Sequence, residues 1–286
     1  MLVNMNDILP MARIEKRAVA LFNVVNLEMA RGVIRAAEEV QAPVIIGAAE
    51  RLLNYIPLEN LADLLLPMAK RASIPVVVHF DHCITKEECI KALELGFTSV
   101  MYDCSTDSYE INVKKMKEMA IIAHKYGASI EGELGHVLGE EGAITGVEAQ
   151  IDISKYYTEP NMAKDFVERT GIDALAIAVG TAHGTYNFKP KIDFNRIAQI
   201  KEKIETPLVL HGGSGLSKSD FITAISNGIS KINIFTEINI AAANALRSGL
   251  GQGICGITDV IEAETEAVYK ESLKILSLFW NGEQHS

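Results

Sequence analysis

The sequence has no apolar run approaching the ~18 residues that a membrane-spanning helix needs. Its first residues, Met1 to Asp7, also lack the basic-then-apolar layout of a signal peptide. Basic residues are in deficit, with 27 Lys and Arg against 37 Asp and Glu, and the formal net charge is -10. That argues against a broad nucleic-acid face, which wants the opposite sign. It leaves room for a small anionic substrate held by local donors. The four cysteines (Cys83, Cys89, Cys104 and Cys255) form no CxxC pair and no disulfide-framework spacing. They read as reduced thiols of a cytoplasmic protein, with neither membrane nor nucleic acid as partner. There is no low-complexity tract and no repeat beyond a strand–helix unit.

What is present is an ordinary globular composition over 286 residues, long enough for one α/β barrel or two smaller domains. An opening helix is expected from Asn6 to Lys16. Eight apolar strand candidates then follow: Ala18–Asn23, Pro43–Ala48, Pro75–Asp81, Ser99–Asp103, Ser129–Leu134, Ala174–Val179, Leu208–His211 and Ile229–Ile234. Helical patterns separate them, and Thr85-Lys86-Glu87-Glu88 has the form of a capping box. Gly96, Gly127 and Gly228 suit left-handed helix ends. Eight alternations predict a (β/α)8 barrel, with an extra N-terminal helix and a C-terminal helical tail over 258–280. An open doubly wound sheet is the alternative. The stretch between Leu134 and Asn161 reads as the only long loop. Its glycines suit a mobile lid over residues 135–160.

The strand ends carry the chemistry. Val76-Val77-Val78-His79-Phe80-Asp81-His82 is a buried strand that finishes in a carboxylate and an imidazole. Two further strands lead to His183 and His211. A lone His is usually a satisfied core or loop residue. Three at three strand ends suggest a shared metal with one open position, as in a catalytic zinc site. Asp81 beside it is free to move a proton. Asn23, Asp103, Glu133 and Asn233 fall at other strand ends, on the rim where barrel enzymes work. Asp103 or Glu133 alone could equally be a cap or a buried ion pair. His79, on the same strand face as Asp81, reads as a support and not as a ligand. His124 and His285 read as inert, and His136 stays undecided.

The other half of the rim resembles an anion site. His211-Gly212-Gly213-Ser214-Gly215 runs from a strand into a helix, so backbone N–H groups can approach a phosphate. Thr236 lies at the start of the next helix. The residues alone therefore point to a metal-assisted reaction on a carbonyl compound that carries a phosphate.

These motifs resemble the class II, zinc-dependent ketose-bisphosphate aldolases, the fructose- and tagatose-bisphosphate group. The likeness spans nearly the whole chain as one domain. It is carried by His79-Phe80-Asp81-His82, Glu131-Gly132-Glu133-Leu134-Gly135, Gly180-Thr181-Ala182-His183-Gly184 and the Gly-rich loop. The resemblance implies reversible aldol cleavage to dihydroxyacetone phosphate and an aldehyde. It implies Zn²⁺ on His82, His183 and His211, Asp81 moving the hydroxyl proton, and Glu141 as the base at carbon. Asp103 and Glu133 would match a second metal position. Asn23, Gly184, Gly212, Ser214, Asn233 and Thr236 would hold substrate and phosphate. A monovalent cation (Na⁺ or K⁺), a sugar phosphate as small-molecule partner, and a homodimer or homotetramer are implied as well.

The sequence departs from the pattern at two points. Leu138 stands where a glycine usually precedes the loop glutamates. The segment Glu262 to Val268 offers acid where an Arg would clasp a second phosphate. The stretch Ala49 to Tyr55 is similar to the branch acting on a phosphorylated deoxy-keto-gluconate, in which Arg51 would meet an acid group on the aldehyde half; a surface salt bridge is the equal alternative for Arg51. Other classes are less well served. A Schiff-base aldolase needs a lysine at the rim, and Lys231 lies near the wrong end of its strand. A barrel metallohydrolase would place a His-x-His pair on the first strand, which has none. A non-catalytic sugar-phosphate binder would need neither Asp81 nor a glutamate-bearing lid.

Overall fold

The computed structural model describes residues 1–139, 153–184, 190–249 and 253–282. Its strands are β1 (Leu2–Val3), β2 (Val19–Asn23), β3 (Val44–Ala49), β4 (Val76–Cys83), β5 (Ser99–Tyr102), β6 (Ser129–Leu134), β7 (Ala174–Ile177), β8 (Leu208–Leu210) and β9 (Ile229–Ile234). Strands β2 to β9 are all parallel, each beside its sequence neighbour, and the β2–β9 pairing closes the ring. The fold is thus a TIM barrel and not an open sheet. The short β1, which has no periodicity to read, pairs with the start of β4 below the point where β5 begins to pair.

The helices are α1 (Leu9–Glu15), α2 (Leu27–Val40), α3 (Leu58–Arg71), α4 (Lys86–Leu95), α5 (Tyr109–Lys125), α6 (Pro160–Thr170), α7 (Phe194–Lys203), α8 (Lys218–Asn227), α9 (Thr236–Gly249) and α10 (Ile257–Leu276). None among the described residues is long and apolar enough to cross a membrane.

Strand alternation divides the core in two. Outward residues such as Phe22, Ile46, Val78, Val100 and Ile130 pack under the helices. Inward residues Val19, Leu21, Ile45, Val77, Ala174, Ala176 and Val209 meet Met5, Leu9 and Ala12 and fill the N-terminal end of the barrel. Higher in the barrel the inward positions turn polar: Asn23, His79, Asp81, Ser99, Glu131, Glu133, Lys231 and Asn233 are all buried. Burying such groups is costly unless they pair, so this layer is where chemistry is expected. Helix α10 folds back onto α2, where Glu264 accepts from Asn26 and Glu266 pairs with Arg35 at 2.8 Å. The acidic stretch therefore serves, in part, to dock the tail helix.

Four expectations need correction. The opening helix is two pieces: a 3-10 turn over Met5–Asp7 capped by Asn4, then α1, whose first turn holds Pro10. Proline lacks a donor and favours a first turn, so the helix restarts there. The Thr85 capping box does not form, because Thr85 gives its hydroxyl to Glu50, whose carboxylate also accepts from the Ile84 amide at 2.7 Å. The strand expected to reach Val179 stops at Ile177. Beyond it a second long connection, with Gly180 at φ 113°, runs to α7, so the loop after β6 is not the only long one. Of that first loop, residues 140–152 lie outside the described residues.

Candidate active site

Asp81 and His82 are consecutive, yet both face the barrel mouth. Simple alternation forbids this. Between Phe80 and Cys83 the pairing with β5 advances only from Val100 to Tyr102, so β4 carries one extra residue. This bulge, with His82 at φ 42° in the left-handed region, swings the imidazole inward beside the carboxylate. His211 follows β8 directly. His183 arrives from the long connection after β7, where its amide donates to the Leu138 carbonyl at 2.8 Å. The Leu138 position, which departs from the usual glycine, thus steadies a histidine loop through its backbone. Ligand nitrogens of His82, His183 and His211 lie within 4.8 Å of one another.

The donor set fits a cation. His82 Nδ1 lies 3.0 Å from Asp103, and His211 Nε2 lies 2.7 Å from Glu131. A carboxylate only accepts, so each ring turns its N–H to its carboxylate and its lone pair the other way. Those two lone-pair nitrogens, His82 Nε2 and His211 Nδ1, face each other at 2.7 Å. Two facing lone pairs repel unless a metal ion or a proton sits between them. A second cluster, His82, Asp103 and Glu133, gathers equally closely. There one buried Glu133 oxygen has no partner. Burial, then the neighbouring Asp103 charge, pushes the Glu133 carboxyl up to about 8.

Asp81 is fully buried. Burial alone would raise its carboxyl, but His82, His79 and Lys231 outweigh that and hold it well below the usual range. It is clamped by Asn23 Nδ2 at 2.9 Å and by Asn233 Nδ2 at 3.2 Å from each oxygen. Asn23 and Asn233, expected as substrate contacts, thus orient Asp81. His79 lies 3.6 Å from Asp81 and bonds Ser99 at 2.7 Å, in keeping with a supporting role.

Three of the expected phosphate residues share one cavity. Gly184, Ser214 and Thr236 line a cavity of about 470 Å³ with Gly215 and Asn244. Gly212, at φ 63°, lets its loop press on the Ala182 backbone, where a Cβ would come within 2.3 Å of a carbonyl oxygen. Within this corner the Glu237 carboxylate accepts from the Ser214 hydroxyl and from the Gly215 amide at 2.6 Å. A second cavity of about 600 Å³ opens above His82 and His183. Arg51, Asn54, Tyr55, Asp103 and His136 line it. Arg51 sits on a 3-10 turn over Glu50–Asn54. His136 bonds Ser105 at 3.0 Å, and His124 pairs with Asp173 away from the site. Glu141 and His285 lie outside the described residues.

Sequence reasoning misses Glu131, Lys231 and Glu237 as parts of the site. The first two carry a signal: polar residues at every second position of a buried strand, Ser129-Ile130-Glu131-Gly132-Glu133 and Lys231-Ile232-Asn233. Glu237 carries none beyond its place in the first turn of a helix.

A parallel barrel with three imidazoles and a buried carboxylate at its C-terminal mouth has the donors that a metal-assisted enzyme needs. The family described as fructose-bisphosphate aldolase class-II matches residues 3–282, and the chain belongs to it. Aldolases of this kind are lyases. The chain is 38% identical over 265 residues to YdjI, an uncharacterised protein of Escherichia coli K12, covering 92% of this chain and 91% of that one. The crystal structure of the YdjI aldolase superposes with a TM-score of 0.87 at 35% identity over the full length of both chains. A putative fructose-1,6-bisphosphate aldolase from Coccidioides immitis gives 0.87 at 28% identity, covering 98% and 97% of the two chains. The fructose-bisphosphate aldolase of Campylobacter jejuni gives 0.81 at 25%, covering 98% and 96%.

Proposed function

We propose that this chain catalyses reversible, zinc-dependent aldol cleavage of a ketose phosphate of the fructose- or tagatose-1,6-bisphosphate type, giving dihydroxyacetone phosphate and an aldehyde. The observation that carries the reading is the three-imidazole cluster with Asp81 clamped beside it. Held by His82, His183 and His211, zinc would supply a Lewis acid for the negative charge that develops on substrate oxygen. Asp81 takes the proton from the C4 hydroxyl as the C3–C4 bond breaks, and returns it to the aldehyde oxygen in condensation. Asn23 and Asn233 keep its oxygens aimed while this happens. Glu141 serves as the base at the dihydroxyacetone-phosphate carbon. Gly184, Gly212, Ser214 and Thr236 take the phosphate, which competes there with the Glu237 carboxylate. Asp103 and Glu133 suit a second position for the metal. A monovalent cation near the phosphate loops, a homodimer or homotetramer, and a cytoplasmic location complete the proposal.

A single-phosphate sugar acid is the second reading, favoured by one placement. Arg51 lines the cavity above His82, where it suits an acid group on the aldehyde half, while the stretch Glu262 to Glu266 of α10, docked through Asn26 and Arg35, supplies no cation of its own for a second phosphate. Dihydroxyacetone phosphate release from fructose and tagatose 1,6-bisphosphates, with and without a strong chelator, separates the readings. Fast chelator-sensitive release from one bisphosphate supports the first. No release from zinc-loaded protein, with release from a phosphorylated keto-acid sugar, supports the second. Release unaffected by the chelator overturns both.

A further inference from the structure

Lys231 is an ammonium with no solvent exposure at all, in the first half of β9, a fully buried strand whose other polar residues, Ser230 and Asn233, are uncharged. A charge there is tolerated only if it is well paired. It forms an ion pair with Glu131 Oε2 at 2.8 Å and donates to Asn233 Oδ1 at 2.7 Å. Each bond forces a choice in the layer above. An ammonium only donates, so the oxygen end of the Asn233 amide must face Lys231. Its NH₂ end is then turned to Asp81, where it reaches both carboxylate oxygens. The reversed amide would set oxygen against oxygen. On the other side, the ion pair draws one oxygen of Glu131 to the Lys231 ammonium. The remaining oxygen takes the Nε2–H of His211, which leaves His211 Nδ1 as the lone pair facing His82.

We propose that Lys231 is a positioning residue that sets the Asn233 amide and the His211 ring together, and thereby aims the Asp81 carboxylate and the ligating nitrogen of His211 at the same point. Its chain is Lys231 to Asn233 to Asp81 in one direction, and Lys231 to Glu131 to His211 in the other. Nothing in it requires Lys231 to touch substrate. The inference rests on the aldolase reading for its kinetic consequence, while its geometric content stands apart from it.

The test is the pair Lys231→Met and Glu131→Gln/Lys231→Met. The double variant removes both buried charges, and the amide introduced at position 131 can still accept from His211, so folding and metal uptake are spared. With zinc loaded, the double variant should release dihydroxyacetone phosphate from fructose or tagatose 1,6-bisphosphate with kcat lowered about 100-fold and KM little changed, the size expected of a reacting group misplaced by about 1 Å. Its crystal structure should show Asn233 detached from Asp81 and the carboxylate rotated. Parental kcat in the zinc-loaded double variant overturns the proposal, and so does a structure in which Asn233 and Asp81 have not moved. Should the parent protein cleave neither bisphosphate, the same kinetics are read on the phosphorylated keto-acid sugar; should it cleave none of them, the aldolase reading falls and the crystal structure alone decides the role of Lys231.

Discussion

Removing the Lys231 ammonium alone should cost more stability than removing the whole pair. In Lys231→Met the Glu131 carboxylate stays in the barrel core with one oxygen on His211 and the other without its 2.8 Å partner. Breaking one side of a buried pair costs about 3–5 kcal/mol, while replacing both sides with neutral groups of similar volume is close to neutral. His211 still serves Glu131, so the lower end applies, about 3 kcal/mol. For 286 residues, at about 2.1 cal/mol/K of unfolding entropy per residue, that is a fall of roughly 5 °C in Tm. Adding Glu131→Gln should recover most of it. Calorimetry on chelator-stripped protein is the assay, because bound metal would add its own stabilisation. The pH dependence follows the Glu131 carboxyl. Burial pushes that group up, but Lys231 and His211 outweigh burial and draw it down from 4.5 to about 2. Its contribution is therefore complete above 4.5 and is lost as pH falls through about 2. The gap between parent and Lys231→Met should be widest at neutral pH and close over that acid window. Equal melting temperatures at pH 7 would refute the reasoning.

Asp81→Ala should retain zinc by elemental analysis and lose about 100-fold or more in kcat, the scale of one proton-transfer group. His183→Ala should lose both the metal and the turnover. Gly212→Ala places a methyl group 2.3 Å from the Ala182 carbonyl oxygen, so it should push the phosphate loop off its neighbour and raise KM for the phosphorylated substrate more than it lowers kcat. Arg51→Ala should raise KM for a sugar with an acidic aldehyde half, and leave the affinity for dihydroxyacetone phosphate, measured calorimetrically, unchanged.

Much of this architecture can be read from the chain because its signals are local. Apolar runs of four to eight residues, each followed by a helical period, announce β2 to β9, and alternation along β4 puts His79 and Asp81 on one face. Alternation also says that His82 should point the other way. The bulge that reverses it depends on the register with β5, which no stretch of β4 encodes alone. His183 reads as a strand tip because Ala178 and Val179 are apolar, yet β7 ends two residues earlier and a glycine turn carries the histidine across. Thr85 has the residues of a capping box and loses its hydroxyl to Glu50, distant in sequence. Lys231 shows the same limit. Its near-terminal place on the strand suggests distance from the site, whereas its side chain reaches up to Asn233 and across to Glu131 on the facing wall. Long-range pairings of this kind decide the site, and the local pattern decides the frame that holds it.

The most direct test of the central claim is a zinc titration of chelator-stripped protein, with dihydroxyacetone phosphate release followed on the bisphosphate or sugar-acid phosphate that the native protein cleaves. The account predicts no release from the stripped protein. Activity should then rise in step with zinc until a single equivalent per chain is bound, and His183→Ala should show no such rise. Full turnover by stripped protein, or by His183→Ala, would contradict it.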